Sequence, residues 1–452
     1  MRLRSAVLGF ALVLAACAGS EGSLVPESIP PATTSPPTTT PSATARSTAP
    51  PVTTAPPVTQ APEVTAPKDP LTAQIEELMQ VTEEIRGLEF LQTPDITILD
   101  EEGVAERIVE LFDEEVDPVQ YAASDELYTV LGLLPENEDL LQLLRRLQAE
   151  QVVAFYATES KELVAPATEG ELTTTQRITM VHELTHALTD QHFDLFSVMD
   201  QFDEEQRYDE ASAYRALVEG DATVVETLYL QGLSREELFG FLQDVLALES
   251  PVFDSSPQFL QDSLLFPYLA GRELVSSIWT ADGFQGVDDA YLDYPSTTEH
   301  VLEPGTYFNS EPALPVALPA VDLSNYQLIE ASTWGQLGLQ TMLDQVLSGV
   351  TATTAAQGWG GDRYELYWNG RDMAFVLSYL GDSEQDALEL HDALSEFVRE
   401  SMRVGLGESD GSGTVYGGED YAFVSKEGDN VLFIAASDIG AGQTVRAAFT
   451  EF

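Results

Sequence analysis

The chain has 452 residues, of which 76 are Asp or Glu and only 20 are Lys or Arg, so its formal net charge is −56 at pH 7. A surface this acidic repels nucleic acid and anionic lipid headgroups, and we exclude both as binding partners. The chain contains a single cysteine, which excludes an internal disulfide. Its length is sufficient for two or three domains with cores of their own.

Residues 1–17 are predicted to form a targeting segment that is not part of the fold. Arg2 and Arg4 precede an apolar run over residues 6–14, and Cys17 follows shortly after it. This pattern is typical of a signal peptide and is too short to span a membrane. The Leu-Ala-Ala-Cys ending resembles the bacterial lipobox, which implies that Cys17 carries a lipid and anchors an extracytoplasmic protein to the cell membrane. An ordinary secretory signal that happens to contain a cysteine is the alternative.

A disordered linker is predicted over residues 18–70, because Thr, Pro, Ser and Ala dominate this stretch and cannot bury enough apolar surface to fold. We expect the first folded domain to comprise residues 71–331. Apolar residues at three- and four-residue spacing predict its first helices. These helices cover residues 71–92, 101–115 and 136–150, with a short strand at 96–99 between the first two.

A β-hairpin is predicted from residues 152–157 and 163–165, which flank a polar turn. An edge strand of such a hairpin could pair with an extended peptide and align it. The alternative is an ordinary hairpin that only packs on the following helix.

That following helix carries the motif His182-Glu183-Leu-Thr-His186. Residues four apart lie one above the other on a helix, so both imidazoles point from one face and can bind the same zinc ion. Glu183 lies beside such an ion, where it can accept a proton from bound water. Thr173 and Gln176 form a capping box that begins the helix. The opposite face is an apolar stripe of Val181, Leu184 and Leu188.

A third protein ligand is expected on a later helix. No other histidine or cysteine is well placed, so we predict a carboxylate, Glu219, with Glu226 and Glu210 as alternates. Gly220 would allow this helix to approach the His-Glu-x-x-His helix closely. A surface ion pair with Arg215 is the other interpretation of Glu219. Residues that could orient the imidazoles are Asp221, Asp190 and Thr223, and the sequence does not choose between them.

The stretch from His182 to Asp190 resembles the zinc helix of the gluzincins, the thermolysin-like metallopeptidases, and Glu219-Gly-Asp-Ala222 is similar to their Glu-Gly-x-Ala ligand helix. The resemblance covers residues 150–230. It implies a zincin-like, mostly helical catalytic domain, one Zn²⁺ ion held by His182, His186 and Glu219, and peptide or protein substrates. Position 223 is threonine, whereas thermolysin has an aspartate four residues after its ligand glutamate.

A donor to the oxyanion is also needed in a zinc peptidase. His300 and Tyr307 lie in a stretch, residues 294–307, that resembles a Pro-x-Ser-Thr-Glu-Gln-x-Leu-His-Pro-x-x-Tyr segment of secreted gluzincin-like proteins. In this chain His300 replaces the glutamine and Glu303 replaces the histidine. Tyr307, His300 and Tyr268 are the candidates for this catalytic role. The alternative for each is a polar residue with local hydrogen bonds.

The C-terminal residues, 332–452, are predicted to form a small domain of their own. The first domain is predicted to continue with helices over 232–280. The small domain begins with a helix over 334–347, and two alternating strands at 365–368 and 373–379 follow, joined by an Asn-Gly turn. A long helix over 383–402 and closing strands at 421–426 and 430–436 complete a ββαββ unit. The chain as a whole is therefore predicted to be an α+β protein.

We expect a lipid-anchored zinc metallopeptidase in which Glu183 activates water. The alternative from another class is a non-catalytic envelope binding or scaffold lipoprotein that retains a structural zinc site. A zinc hydrolase acting on a non-peptide amide is a third interpretation. The sequence does not reveal the substrate or the oligomeric state.

Overall fold

The computed structural model describes residues 70–150, 154–166 and 172–449, together with a two-residue strand at Val7–Leu8. The predicted signal peptide, lipidation site Cys17 and linker otherwise lie outside the described residues. Within the described part of the chain, no helix is both long enough and apolar enough to cross a membrane.

The N-terminal half begins with four helices around a small sheet. The helices are α1 (Pro70–Arg86), α2 (Glu101–Glu114), α3 (Pro118–Val130) and α4 (Leu140–Glu150). The strands are β1 (Val7–Leu8), β2 (Asp95–Leu99), β3 (Phe155–Ala157) and β4 (Glu162–Pro166), in the order β1-β3-β4-β2. Strands β3 and β4 form the predicted hairpin, β2 runs parallel to β4, and β1 pairs antiparallel with the outer edge of β3.

Eight helices follow between residues 174 and 308, and the first of them carries the His-Glu-x-x-His motif. They are α5 (Thr174–Phe193), α6 (Leu195–Glu204), α7 (Tyr208–Gly232), α8 (Arg235–Ala247), α9 (Pro251–Ser255), α10 (Gln258–Leu292), α11 (Thr298–Leu302) and α12 (Pro304–Phe308). Helix α5 begins with the predicted capping box, in which Thr173 and Gln176 bond reciprocally. Residues 178–190 of this helix are buried throughout, so α5 is a central element of the core.

Gly220 permits a close helix crossing, but with a different partner from the one predicted. A Cβ atom on Gly220 would clash with the carbonyl oxygen of Gly271 on α10, and one on Gly271 would clash with the backbone of Ala216. The two glycines therefore allow α7 and α10 to pack backbone against backbone. The expectation that Gly220 brings α7 towards α5 is wrong, because this residue faces α10. The crossing nevertheless holds α7 in place at the residue next to Glu219.

The C-terminal part is built on a seven-stranded antiparallel sheet. Its strands are β5 (Gln327–Ser332), β6 (Trp359–Trp368), β7 (Met373–Gly381), β8 (Glu408–Ser409), β9 (Thr414–Gly417), β10 (Tyr421–Glu427) and β11 (Asn430–Ala436). Its helices are α13 (Gly335–Asp344), α14 (Gly349–Ala356), α15 (Glu384–Ser401) and α16 (Ile439–Ala448). The strand order is β5-β6-β7-β11-β10-β9-β8, so the predicted ββαββ unit forms the centre of a larger sheet. The predicted α+β class is confirmed.

One apolar core extends across the predicted boundary at residue 331. Helices α3 and α15 pack on the same face of the sheet, with Leu127, Phe397 and Phe375 in one buried cluster that also contains Phe259 of α10. The other face of the sheet is covered by α16 and by residues of the 318–326 segment. Strand β5 itself spans the predicted boundary and belongs to the C-terminal sheet.

Candidate metal centre

The two histidines of α5 lie side by side in the interior. Their ring centroids are 4.7 Å apart, and the rings are nearly perpendicular. His182 is 4% exposed and His186 is fully buried. The apolar face of the helix, which includes Val181 and Leu184, packs into the adjoining core cluster. The helix therefore holds both imidazoles at fixed positions, as the four-residue spacing predicts.

Helix α7 brings the third predicted ligand to these imidazoles. The Glu219 Oε2 atom lies 3.2 Å from His182 Nε2 and 3.3 Å from His186 Nε2. The three ligand atoms all lie within 4.8 Å of one another. Among the residues that the structure describes, this is the only group of three His, Cys, Asp or Glu side chains that could hold a metal ion in this way.

The spacing of these atoms fits a tetrahedral zinc site. With zinc–ligand bonds of about 2.0–2.1 Å, two ligands at adjacent tetrahedral corners are separated by about 3.3 Å. The two measured separations match that length. Neither ring nitrogen of buried His186 has a hydrogen-bond partner within the described ranges. Two imidazoles and one carboxylate are also the donor set of many catalytic zinc sites, in which the fourth corner is left for water.

The electrostatics of the centre favour a cation. Burial by itself would raise the pKa of Glu219, but the two adjacent imidazoles outweigh it and hold that pKa at about 2. Burial disfavours the charged form of His182, yet the hydrogen bonds that its ring donates to Glu219 and Glu226 raise its pKa well above the usual value. For His186 burial prevails and lowers the pKa. The carboxylates thus stabilise positive charge at the position where their atoms converge.

Glu183 lies next to this group and has one uncommitted oxygen. Its Oε2 atom accepts a hydrogen bond of 2.8 Å from the backbone N–H of Tyr156 on β3. Its Oε1 atom is buried and has no hydrogen-bond partner in the described part of the chain. Burial, together with the neighbouring carboxylates, raises the pKa of Glu183 well above the usual range. A buried carboxylate with a raised pKa and a free oxygen is suited to accept a proton and pass it on.

Glu226 orients His182, a role that the sequence analysis did not assign to it. Its Oε2 atom lies 3.2 Å from His182 Nδ1, the ring nitrogen that does not face Glu219. A carboxylate in this position accepts the Nδ1 proton and leaves Nε2 free to bind a metal. Glu226 is two helical turns after Glu219, so both side chains project from the same face of α7. That spacing is the signal in the sequence that could have identified it.

The three residues predicted to orient the imidazoles bond elsewhere. Asp221 accepts a hydrogen bond from Arg86, and Asp190 accepts one from the Tyr156 hydroxyl. The Thr223 hydroxyl donates to the backbone carbonyl of Glu219. Glu210, an alternate for the third ligand, forms an ion pair with Arg207.

Of the three predicted oxyanion donors, Tyr268 is the one that contacts the metal-binding residues. Its ring stacks on that of His182, with centroids 6.2 Å apart. The Nε2 atom of His300 lies 2.7 Å from the carbonyl oxygen of Glu311, and its Nδ1 atom faces the Ser296 N–H. The Tyr307 hydroxyl donates to the carbonyl of Asp293. His300 and Tyr307 thus make the local loop hydrogen bonds that were the alternative interpretation of these residues.

Comparison with protein families gave one match. Residues 325–446 match a domain of unknown function (DUF8575). The matched region begins just before β5, includes all seven strands of the C-terminal sheet, and contains none of the residues of the candidate metal centre. No curated protein and no solved structure showed significant similarity to the chain.

Proposed function

We propose that this protein is a zinc-dependent metallopeptidase of the gluzincin type. The observation that carries the proposal is the convergence of His182, His186 and Glu219 beside Glu183, whose buried Oε1 atom is uncommitted. The ligand spacing, the donor set and the raised pKa of Glu183 all support it. A site that served only to hold a structural metal would have no use for Glu183.

The chemistry follows from the positions of these side chains. Zinc, when bound, would polarise the scissile carbonyl and lower the pKa of a bound water. His182, His186 and Glu219 hold the ion, and Glu226 fixes the tautomer of His182. Glu183 accepts the proton of the attacking water on Oε1 and delivers it to the nitrogen of the leaving amine. Tyr268, beside His182, is the best placed of the three candidate donors to the carbonyl oxygen.

The position of β3 beside Glu183 supports the proposal that the substrate is a peptide. Tyr156 of this strand donates its N–H to Glu183, so the strand passes directly beside the proton acceptor. The outer edge of β3 pairs antiparallel with the two-residue strand β1, and this pairing supports the proposal that the edge accepts an extended backbone. A substrate peptide bound along the same edge would be aligned by main-chain hydrogen bonds with its scissile bond near Glu183.

We further propose that the protein acts outside the cytoplasm, anchored to the cell membrane by a lipid on Cys17. The signal-like apolar run and the Leu-Ala-Ala-Cys sequence support this location. The large negative charge supports the absence of a nucleic-acid partner.

The decisive experiment replaces Glu183 with Gln. The Glu183→Gln variant should bind one zinc ion per chain, as the wild type does, and its rate of casein or peptide cleavage should fall by about 100-fold or more, because the proton acceptor is lost. Zinc content is measured by metal analysis, and cleavage is measured with and without a chelator. Glu330→Gln is the matched control, since Glu330 is also a buried glutamate but bonds to Gln120 and Tyr364.

Full activity in the Glu183→Gln variant would refute the mechanism. Zinc bound by the wild type without turnover of any peptide would favour the envelope scaffold instead. Turnover restricted to acyl amides that are not peptides would favour the non-peptide hydrolase.

A further inference from the structure

The orientation of Glu183 depends on the strand beside it. The Tyr156 N–H is the donor to Glu183 Oε2, and Oε1 is left without a partner within the described ranges. A shift of β3 would release Oε2, and the carboxylate could then rotate away from the metal-binding residues. Whatever holds Tyr156 in place therefore also determines where Glu183 points.

The side chain of Tyr156 is bound to the last part of α5. Its hydroxyl donates to Asp190 Oδ2 at 2.7 Å, and Asp190 lies one helical turn after His186. Asp190 also accepts the Leu195 N–H at 3.0 Å, which fixes its carboxylate relative to the start of α6. Both Tyr156 and Asp190 are buried, so water does not compete for this hydrogen bond.

The turn of the hairpin is bound to the same carboxylate. Lys161 Nζ lies 2.8 Å and 2.7 Å from the two oxygens of Asp190. Lys161 has a φ of 58°, in the left-handed region that non-glycine residues seldom adopt. Its side chain is 40% exposed, so the ion pair closes the hairpin against α5 from the solvent side. Asp190 thus holds β3 and the turn together.

We infer that Tyr156 is the positioning residue for Glu183 and that Asp190 and Lys161 hold Tyr156 in place. The inference rests on the proposed function, because it concerns the proton acceptor of that reaction. The contact itself is a property of the protein alone and can be measured without metal. Asp190, which lies one turn after His186 and bonds to Tyr156 and Lys161, thereby acquires a role in the site.

Tyr156→Phe and Tyr364→Phe form a matched pair that tests this inference. Each substitution removes a buried tyrosine hydroxyl that donates to a carboxylate at 2.7 Å, Asp190 for Tyr156 and Glu330 for Tyr364. Tyr364 lies on β6 of the C-terminal sheet and has no contact with His182, His186, Glu219 or Glu183 among the hydrogen bonds and ring contacts of the described residues. In Tyr156→Phe, kcat for peptide cleavage should fall by about tenfold, with zinc content and KM unchanged, because a hydrogen bond to a buried charge is lost. Tyr364→Phe should keep its kcat.

Amide hydrogen exchange of the metal-free protein gives a second readout. Exchange at the Tyr156 amide should accelerate by about tenfold in Tyr156→Phe, because the N–H leaves Glu183 more often, and should be unchanged in Tyr364→Phe. Lys161→Met, at the exposed end of the contact, serves if Tyr156→Phe does not fold. It should lower kcat by about threefold and increase the exchange rate of the Tyr156 amide.

Unchanged protection of the Tyr156 amide in the folded variants would overturn the inference, and so would equal losses of kcat in the two Tyr→Phe variants. If the wild type cleaves no peptide, the proposed function fails. The exchange measurement still decides whether the hydroxyl of Tyr156 holds its N–H on Glu183.

Discussion

Helix α7 carries three buried carboxylates, and each is compensated in a different way. Glu219 lies against two imidazoles. Asp221, two residues later and therefore on nearly the opposite side of the helix, lies 2.9 Å from the guanidinium of Arg86. Asp209, near the start of the helix, accepts hydrogen bonds from the backbone N–H and the hydroxyl of Thr298.

The groups around Glu219 and Asp221 differ in whether an arginine balances the carboxylate, and this difference separates the proposed metal centre from an ion-pair group. The buried Arg86 also binds Asp288, and Tyr291 donates to Asp221, so this group contains a permanent cation of its own. In the candidate metal centre, Glu183, Glu219 and Glu226 lie around two imidazoles, and none of the three forms an ion pair with a described Lys or Arg. A buried excess of negative charge is costly unless a cation completes the site.

Replacing Arg86 should produce the largest effect on stability. Arg86→Met leaves Asp221 without its cation and also removes the guanidinium from above the Phe284 ring. We expect the free energy of unfolding to fall by about 3–5 kcal/mol, as is typical when one partner of a buried ion pair is removed. Urea denaturation measures this change, and a zinc competition titration should show little change in affinity for the folded protein.

The double variant Arg86→Met with Asp221→Leu is the control for this prediction. It removes the charges of Arg86 and Asp221, leaves only the partly exposed Asp288 without its arginine, and should recover part of the lost stability, because an apolar pair of similar volume often replaces a buried ion pair without loss. A large loss of zinc affinity in Arg86→Met, with stability preserved, would show that the two groups on α7 are not separate in function.

The Asp209 carboxylate represents the third kind of compensation, in which hydrogen bonds act without a cation, and it predicts a pH dependence of stability. Burial raises its pKa from 3.8 to about 7, although the bonds from Thr298 act in the opposite direction. The folded state therefore holds a proton that the unfolded state has released, over the range between those two pKa values. Stability should fall as pH rises through this window, by about 2 kcal/mol between pH 5 and pH 7.

Urea denaturation at several pH values measures the fall. In Asp209→Asn the side chain no longer titrates, and the slope of stability against pH should be smaller. Thr298→Val removes a bond that favours the charged carboxylate and should extend the fall to higher pH. An unchanged slope in Asp209→Asn would assign the pH dependence to other groups.

The local elements of the fold could be predicted, and those that depend on packing could not. The hairpin, the capping box of α5 and the ββαββ strands all follow from short-range patterns. Helix α3 was missed because its apolar residues show weak periodicity, although Asp117 and Pro118 were available as start signals. Helix α10 continues through Pro267, because packing against α7 overrides local propensity. Its backbone then breaks at Gly283, where φ is 66° and ψ is −163°, close to the predicted end of the helix at residue 280.

The candidate site shows the same division. His182, Glu183 and His186 are set by the spacing within one helix, and that spacing could be read directly. The proximity of Glu219 depends on how α7 docks on α5, which a helical pattern does not specify. The seven-residue spacing places Glu226 on the same face of α7 as Glu219, but the atom that it meets depends on how α7 docks on α5. The contact of Tyr156 with Glu183 depends on the register of β3 against α5, and no local signal predicts it.

The smallest expected effect is on zinc affinity when Glu226 is replaced. This replacement tests whether Glu226 acts by orienting His182 or by balancing charge. Glu226→Gln retains an oxygen that can accept the His182 Nδ1 proton, so we expect zinc affinity to fall by only about tenfold, at the lower end of the range for residues that orient metal ligands. Competition with a chelator measures this affinity. Glu210→Gln on the same helix is the control, because Glu210 pairs with Arg207 and should leave zinc affinity unchanged. If Glu226 instead behaved like a member of the Arg86 group, its replacement would change the free energy of unfolding more than zinc affinity, and the distinction between the two sides of α7 would fail.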